Sequence, residues 1–544
     1  MNYLTRFARR RTEQRHAIPG TSQVPNSAGG FAWAVDDWAR LRRFLILGSE
    51  GGSFYAGEQT LTRENATAVW RCVESDGARA LAEIVAVSRD GRAAKNDPAI
   101  FALALAASAT EDATRQAALA SLPLVCRTST HLFAFARYVE GFRGWGRSLR
   151  RGIATWYLDQ APEQLAYQAV KYRQRDGMTH RDLLRLSHPV AATAEHAQLF
   201  EWIVRRTEAE GLPRIVEGFT AAQRAQDARQ TAKLIRTYDL PREAVLPEFL
   251  DSKEVWAALL ERMPTGALIR NLATLTRVGV LVPGSNATQR VVAQLGDGER
   301  LRKARVHPIA VLSALRTYAG GRGVRGQHTW APVAQVIDAL DAAFYMAFGN
   351  VEPAIKRMLL ALDVSGSMAG SWIAGVPGLT PRDASAAMAL VTAATEPRHE
   401  IVGFHAGRGG WKAGTKRWNW GEDGLTPLAI SPRQRLDDAV RAVSDLPFGG
   451  TDCALPMRFA LETGREIDTF VVYTDSETWA GSVHPAQALR EYRERAGIAA
   501  RLVVVGMVAN GFTIADPEDP GMLDIVGFDT ATPAVVTGFA AGAL

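Results

Sequence analysis

The sequence predicts a multidomain chain in which an all-α array of HEAT-like helix pairs is followed by an α/β domain with a doubly wound parallel sheet. At 544 residues it exceeds one ordinary core, since a domain typically takes about 100–200 residues. Capped helices recur in pairs, at a spacing of roughly 40 residues, up to the neighbourhood of residue 350. Beyond Glu352-Pro353 the pattern changes to short apolar runs alternating with helices. Charge divides at the same place. Residues 1–350 hold 46 Lys+Arg against 34 Asp+Glu, whereas 351–544 hold 17 against 23, a contrast that the net charge of +6 conceals. A basic part is suited to a polyanion and an acidic part to some other task.

In chain order, residues 1–30 are expected to form a flexible basic tail, because Arg9, Arg10, Arg11 and Arg15 precede a Pro/Gly/Ser-rich stretch without an apolar h-region. The helical module is expected over 31–350. Its helix at 98–108 follows Asn96-Asp97, a good cap, with proline at the first position. The next, 110–122, starts at Thr110 with Glu111 and Asp112 in its first turn. Further pairs are 162–175 with 180–186, 251–263 with 265–276, and 308–318 with 332–348. Asp251 and Glu254 form a start like a capping box. An α-solenoid of the HEAT or armadillo type fits this pattern; an irregular helical domain is the alternative.

Over 351–544 the runs 358–362, 401–404, 470–473 and 502–505 are too short for helices and mostly β-branched. They read as strands buried on both faces. Helices are expected at 383–395, after Thr380-Pro381, and at 436–446, 454–462 and 485–495. Such a sheet binds ligands beyond the carboxyl ends of its strands. Chemistry is therefore expected just after Leu362 and Tyr473.

Directly after the first strand comes Asp363-Val364-Ser365-Gly366-Ser367, a DxSxS loop. One carboxylate and two hydroxyls offer hard oxygen donors, which suit Mg²⁺. Gly449-Gly450-Thr451-Asp452 and Thr474-Asp475 stand where neighbouring strands end. Together the three elements resemble the metal-ion-dependent adhesion site of von Willebrand factor A domains. The resemblance implies that Ser365, Ser367 and Thr451 supply hydroxyl oxygens to a divalent cation, expected to be Mg²⁺, while Asp363 and Asp475 hold it directly or through water. The alternative is that these groups cap helices and satisfy one another without a metal.

Longer strings narrow the resemblance. Leu340-Asp341-Ala342-Ala343-Phe344-Tyr345, Cys453-Ala454-Leu455-Pro456-Met457, His484-Pro485-Ala486 and Asn510-Gly511-Phe512-Thr513 are similar to the Ro ribonucleoprotein autoantigen family, in its bacterial form. So are Arg43-Phe44, Gly48-Ser49-Glu50, Thr130-His131-Leu132-Phe133 and Lys303-Ala304-Arg305-Val306-His307-Pro308 upstream. The resemblance covers nearly the whole chain from Phe31 onward. It implies a ring of HEAT-like helices, the TROVE module, closed by a von Willebrand A domain. It also implies a non-enzymatic RNA-binding protein acting in RNA quality control or stress response. Such proteins bind small noncoding Y RNA on a basic outer surface and single-stranded 3′ ends of misfolded RNA in a central hole. A 3′-exonuclease such as polynucleotide phosphorylase can be tethered through the RNA. A cytoplasmic monomer is expected.

In the segment 171–188, Lys171 and Arg175 are four apart and are expected to share a helix face, with His188 returning to the same surface beyond the next helix. These three match the family's RNA-contacting Lys, Arg and His. Arg173, Arg181 and Arg185 are further candidates on the segment. Basic groups near phosphates gain from counterion release. A solvated basic helix face is the plain alternative.

Other classes are disfavoured. Cys72, Cys126 and Cys453 are too scattered for a disulfide framework or a zinc site, so a reducing cytosol is expected. No uncharged apolar run reaches the roughly 18–20 residues that span a bilayer. His399-Glu400 with His405 has the wrong spacing for a zinc protease, and no GK[ST] follows the glycine clusters. Trp411, Trp418 and Trp420, interleaved with Lys412, Lys416 and Arg417, could stack on bases or simply pack. A competing function is a metal-dependent adhesion scaffold whose A domain recruits an acidic partner.

Overall fold

The computed structural model describes residues 11–50, 52–54, 56–175, 177–206, 211–323, 328–348, 351–373, 376–406, 424–431, 434–446 and 449–543. The Trp-rich stretch 407–421 lies outside them. Helices run from Asp37–Leu47 to Ala334–Met346 and precede a six-stranded sheet. Local chemistry sets many helix starts. Asp36, Thr128, Thr193, Asp227 and Ser285 each accept a backbone N–H from the first turn of the helix they open. The apolar Asp97–Ala106 helix has all but three of its ten residues buried, so it is enclosed by its neighbours rather than lying on a surface. Among the described residues, no helix is long and apolar enough to cross a membrane.

Three expected helices are corrected. The one beginning at residue 162 ends at Lys171, and Gln174–Arg175 pairs antiparallel with Met178–Thr179. Gly177, at φ 79°, makes the tight turn that this hairpin needs. Lys171 and Arg175 therefore do not share a helix face. The helix expected at 110 begins at Asp112, and the Thr110 N–H instead donates to Glu74 Oε1 at 2.9 Å. The helix expected at 251 spans Lys253–Leu260 and is capped by Ser252, leaving Asp251 to pair with Arg277 at 2.6 Å.

The sheet order is Met522–Val526, Arg501–Gly506, Thr469–Thr474, Met358–Asp363, His399–Phe404 and Leu425–Pro427. All neighbours are parallel except the last pair. The first strand in sequence lies inside the sheet, with later strands added to either side, so the order reverses between Met358–Asp363 and Thr469–Thr474. That switch point is where a ligand crevice opens. Along the first strand Met358, Leu360 and Leu362 join one apolar cluster and Leu359 and Ala361 another, as alternating side chains must. The first cluster continues into the helical array.

The N-terminal segment also departs from expectation. Residues 11–30 were expected to be solvated, yet Gln14 is fully buried and Ile18 joins the second apolar cluster. Gln14 Nε2 donates to Asp452 Oδ1 at 2.7 Å and to the Val483 carbonyl at 2.9 Å. Phe31–Ala34 then bridges Val24–Pro25 and Phe512–Thr513 in a small antiparallel sheet. Apolar Ile18 and a buried amide outweigh the charge of the neighbouring arginines, so the segment is a strap on the A-type domain.

Early and late helices meet at that domain. Arg305 Nε donates to the Arg89 carbonyl at 2.7 Å. The His307 Nε2–H reaches the carbonyls of Arg92 at 3.0 Å and Phe528 at 2.9 Å, beside the Arg92–Asp529 ion pair. Buried Arg43 donates to both Asp524 oxygens at 2.7 Å and to the Phe512 carbonyl at 2.8 Å. From the late helices Arg316 pairs with Asp383, and Asp341 Oδ1 accepts the Leu436 N–H at 2.8 Å. The helical array is thus closed through the sheet domain.

Candidate functional site

At the switch point Asp363 ends its strand completely buried. Its Oδ1 accepts the Ser365 N–H at 2.9 Å and its Oδ2 accepts the Thr474 hydroxyl at 2.6 Å. The Ser365 and Ser367 hydroxyls lie 3.1 Å apart, and Ser367 also hydrogen-bonds Asp475. Asp475 Oδ1 accepts the Glu477 N–H at 3.0 Å. The Gly366 N–H donates to the Gly449 carbonyl at 3.2 Å, joining the DxSxS loop to the loop that carries buried Thr451. Glycine is required there. A Cβ at Gly449 would lie 2.6 Å from the Ala406 carbonyl oxygen, and one at Gly450 would lie 2.7 Å from the Trp479 ring.

Burial, and then the Asp363 charge, push Asp475 up to about 7; burial also raises Asp363. Two enclosed carboxylates stand among hydroxyls, and this all-oxygen donor set fits a hard divalent cation. All five predicted residues belong to the three loops at this sheet edge. The helical array braces them: Asn510 Nδ2 donates to the Asp475 carbonyl at 2.7 Å, while Asn510 Oδ1 accepts from Arg43 Nη1 at 3.0 Å. In the sequence Arg43 and Asn510 stand out only within longer strings that carry the family resemblance. Among the described residues no cluster of three His, Cys, Asp or Glu could hold a metal.

The second site is a cleft of about 670 Å³ in the helical array. Lys171, Arg173, Arg181 and Arg206 line it, with Glu243 as its carboxylate. Lys171 closes its helix, and its Nζ donates to the Tyr167 hydroxyl at 3.1 Å, 5.2 Å from the ring centroids of Tyr167 and Tyr172. Arg173 donates to the Glu243 carbonyl at 3.2 Å from the approach to the hairpin. Arg181 is exposed in the first turn of His180–Ser187, which starts with a capping box formed by Thr179 and Asp182. Burial and the charge of Arg173 push the Arg206 guanidinium below its ordinary value, as expected where cations converge.

Three of the six predicted residues therefore come together. Arg175 pairs with Asp97 at 2.5 Å and does not line the cleft. Exposed His188 caps its helix at φ 48°, and Arg185 is also exposed; neither lines the cleft. Arg206 was missed. Its available signal was Arg205-Arg206 at the end of the amphipathic Ala194–Arg205 helix.

A helical array closed by a von Willebrand A-type domain, with an adhesion-site loop and a basic cleft, defines a narrow class of protein. The TROVE domain model matches residues 24–233 and 233–318, and the Ro60 vWA domain model matches 357–540. The chain belongs to the Ro family. It is 45% identical over 526 residues to the RNA-binding protein RO60 of Deinococcus radiodurans, covering 96% of each chain. To the RNA-binding protein RO60 of Caenorhabditis elegans it is 35% identical over 601 residues, covering 96% of this chain and 90% of that one. The crystal structure of the Deinococcus radiodurans RO (RSR) protein is similar, with a TM-score of 0.69 and 44% identity over 94% of this chain and 100% of that chain.

Proposed function

We propose that this chain is a Ro-type RNA-binding protein that grips structured noncoding RNA through its phosphates and does not cut it. The observation that carries the reading is the convergence of Lys171, Arg173, Arg181 and Arg206 on one cleft in a member of a family whose named relatives are RNA-binding proteins. Arg175, Arg185 and His188, which do not line the cleft, are further RNA-contact candidates outside it. The RNA is of the small Y-like class, and single-stranded 3′ ends of misfolded RNA are a second ligand, taken into the hole of the ring. Family membership supports both. A 3′-exonuclease such as polynucleotide phosphorylase is recruited through the RNA rather than by protein contact, so nuclease treatment should release it from the purified complex.

At the sheet edge, Asp363, Asp475, Ser365, Ser367 and Thr451 would hold Mg²⁺, which would supply a Lewis-acidic position for an acidic partner group. The test of the main reading is binding of a tailed hairpin RNA across a salt series, with the RNA recovered intact after incubation with Mg²⁺. Salt-insensitive binding, or shortened RNA, would count against it.

A further inference from the structure

We infer that the RNA path continues from the Lys171 cleft along a basic groove into an aromatic pocket at Trp330, and that this groove takes a single-stranded RNA segment. The inference rests on the RNA-binding reading and deepens it. A second cleft of about 560 Å³ shares Lys171 and Glu243 with the first. A third, of about 330 Å³, shares Arg242 with the second. The shared lining residues place the three clefts side by side, and each volume falls within the roughly 300–1,000 Å³ of ordinary ligand clefts.

The chemistry changes along the groove. In the middle cleft Arg236 is paired with Glu261 at 2.8 Å and Arg262 with Asp239 at 2.5 Å. Arg242 and Arg270 have no carboxylate within ion-pairing distance among the described residues, so their charge is available to phosphates. At the far end Pro247, Leu250 and the Trp330 indole form apolar walls, beside an Arg277 that is paired with Asp251 at 2.6 Å. Trp330 is held in place: its Nε1–H donates to the Tyr318 carbonyl at 2.9 Å and its ring stacks on Tyr318 at 25°. A fixed flat ring is what an unpaired base requires, and Arg242, which also lines this pocket, offers a cation to the adjoining phosphate. A duplex hides its base faces, so the far pocket selects a single strand.

The test compares a hairpin RNA with the same hairpin carrying an oligoadenosine extension at either end. In the wild-type chain, one of the two extensions should tighten binding by about tenfold, a typical gain from base stacking plus phosphate contacts. Trp330→Ala should abolish most of that gain while leaving affinity for the bare hairpin within about twofold. Trp330→Phe, which keeps a stacking face, should retain part of it. Because Trp330→Ala could disturb Tyr318, a second variant, Arg242→Gln with Arg270→Gln, keeps the aromatic pocket and should reduce both the gain and its salt dependence. Crosslinking of 4-thiouridine in the extension should mark the peptide containing Trp330. No gain from either extension, or a gain preserved both in Trp330→Ala and in Arg242→Gln with Arg270→Gln, would overturn the groove. A wild-type chain that ignores the bare hairpin at low salt would instead remove the underlying RNA-binding reading, and the groove with it.

Discussion

Replacing both Lys171 and Arg206 should flatten the salt dependence of RNA binding. Arg206 sits at φ 60°, so asparagine, which tolerates the left-handed region, is the better substitute there. The cleft offers four cations, Lys171, Arg173, Arg181 and Arg206. Each phosphate neutralised contributes about 0.9 to the slope of log K against log salt for duplex RNA treated as B-DNA, giving about 3.6 for the intact cleft. Raising salt from about 0.1 M to 0.3 M should then weaken the cleft's contribution by roughly fiftyfold, against roughly sevenfold for Lys171→Ala with Arg206→Asn. Fluorescence anisotropy of a labelled hairpin across that range measures both slopes. The control is Lys253→Ala with Lys303→Ala, which removes the same formal charge from exposed positions outside the cleft. Equal slopes for the double variant and the wild type would refute the assignment. An equal flattening by the control would trace the effect to overall charge instead of the cleft.

Stability should fall on acidification. Burial holds His131 and His307 down at about 4 and His180 at about 3, so all three are neutral when folded and protonate near their ordinary value of about 6.5 when unfolded. Their contribution is complete above about pH 6.5 and is lost as pH falls towards 4, by roughly 2 kcal/mol per histidine at pH 5; urea unfolding at pH 7 and pH 5 reads it. For Arg43→Ala, which strands Asp524 at the domain joint, a loss of about 3–5 kcal/mol is expected in the same assay. Adding Mg²⁺ should raise the melting temperature of the wild type but not of Asp363→Asn, because a ligand held only by the native state stabilises it. Gly450→Ala should lower the melting temperature, since its Cβ would meet the Trp479 ring at 2.7 Å.

Much of the A-type domain was legible because its signals are local. Four strands lay within two residues of where β-branched runs put them, and the capping box of Thr380 and Asp383 opens its helix one turn or less from the expected start. The short Met522–Val526 strand was missed: its Asp524 interrupts the apolar pattern because it faces Arg43 of the helical array. At the sheet edge the motif was enough to bring Asp363, Ser365 and Ser367 together, since one loop carries all three. In the basic cleft it was not. Helical spacing put Arg175 beside Lys171, but the helix ends at Lys171 and the chain turns at Gly177, sending Arg175 to Asp97.

By itself the sequence determined the two parts, their opposite charge, the strand and helix types and the oxygen-donor loop, because each depends on residues close together in the chain. Tertiary structure decided which cations share a cleft, that residues 11–30 strap the sheet domain, and that Arg43, His307 and Asp341 are joints. Those outcomes depend on partners hundreds of residues away. No local periodicity records whether a buried arginine or imidazole will find its carboxylate or carbonyl; only the closed array brings them within hydrogen-bonding distance.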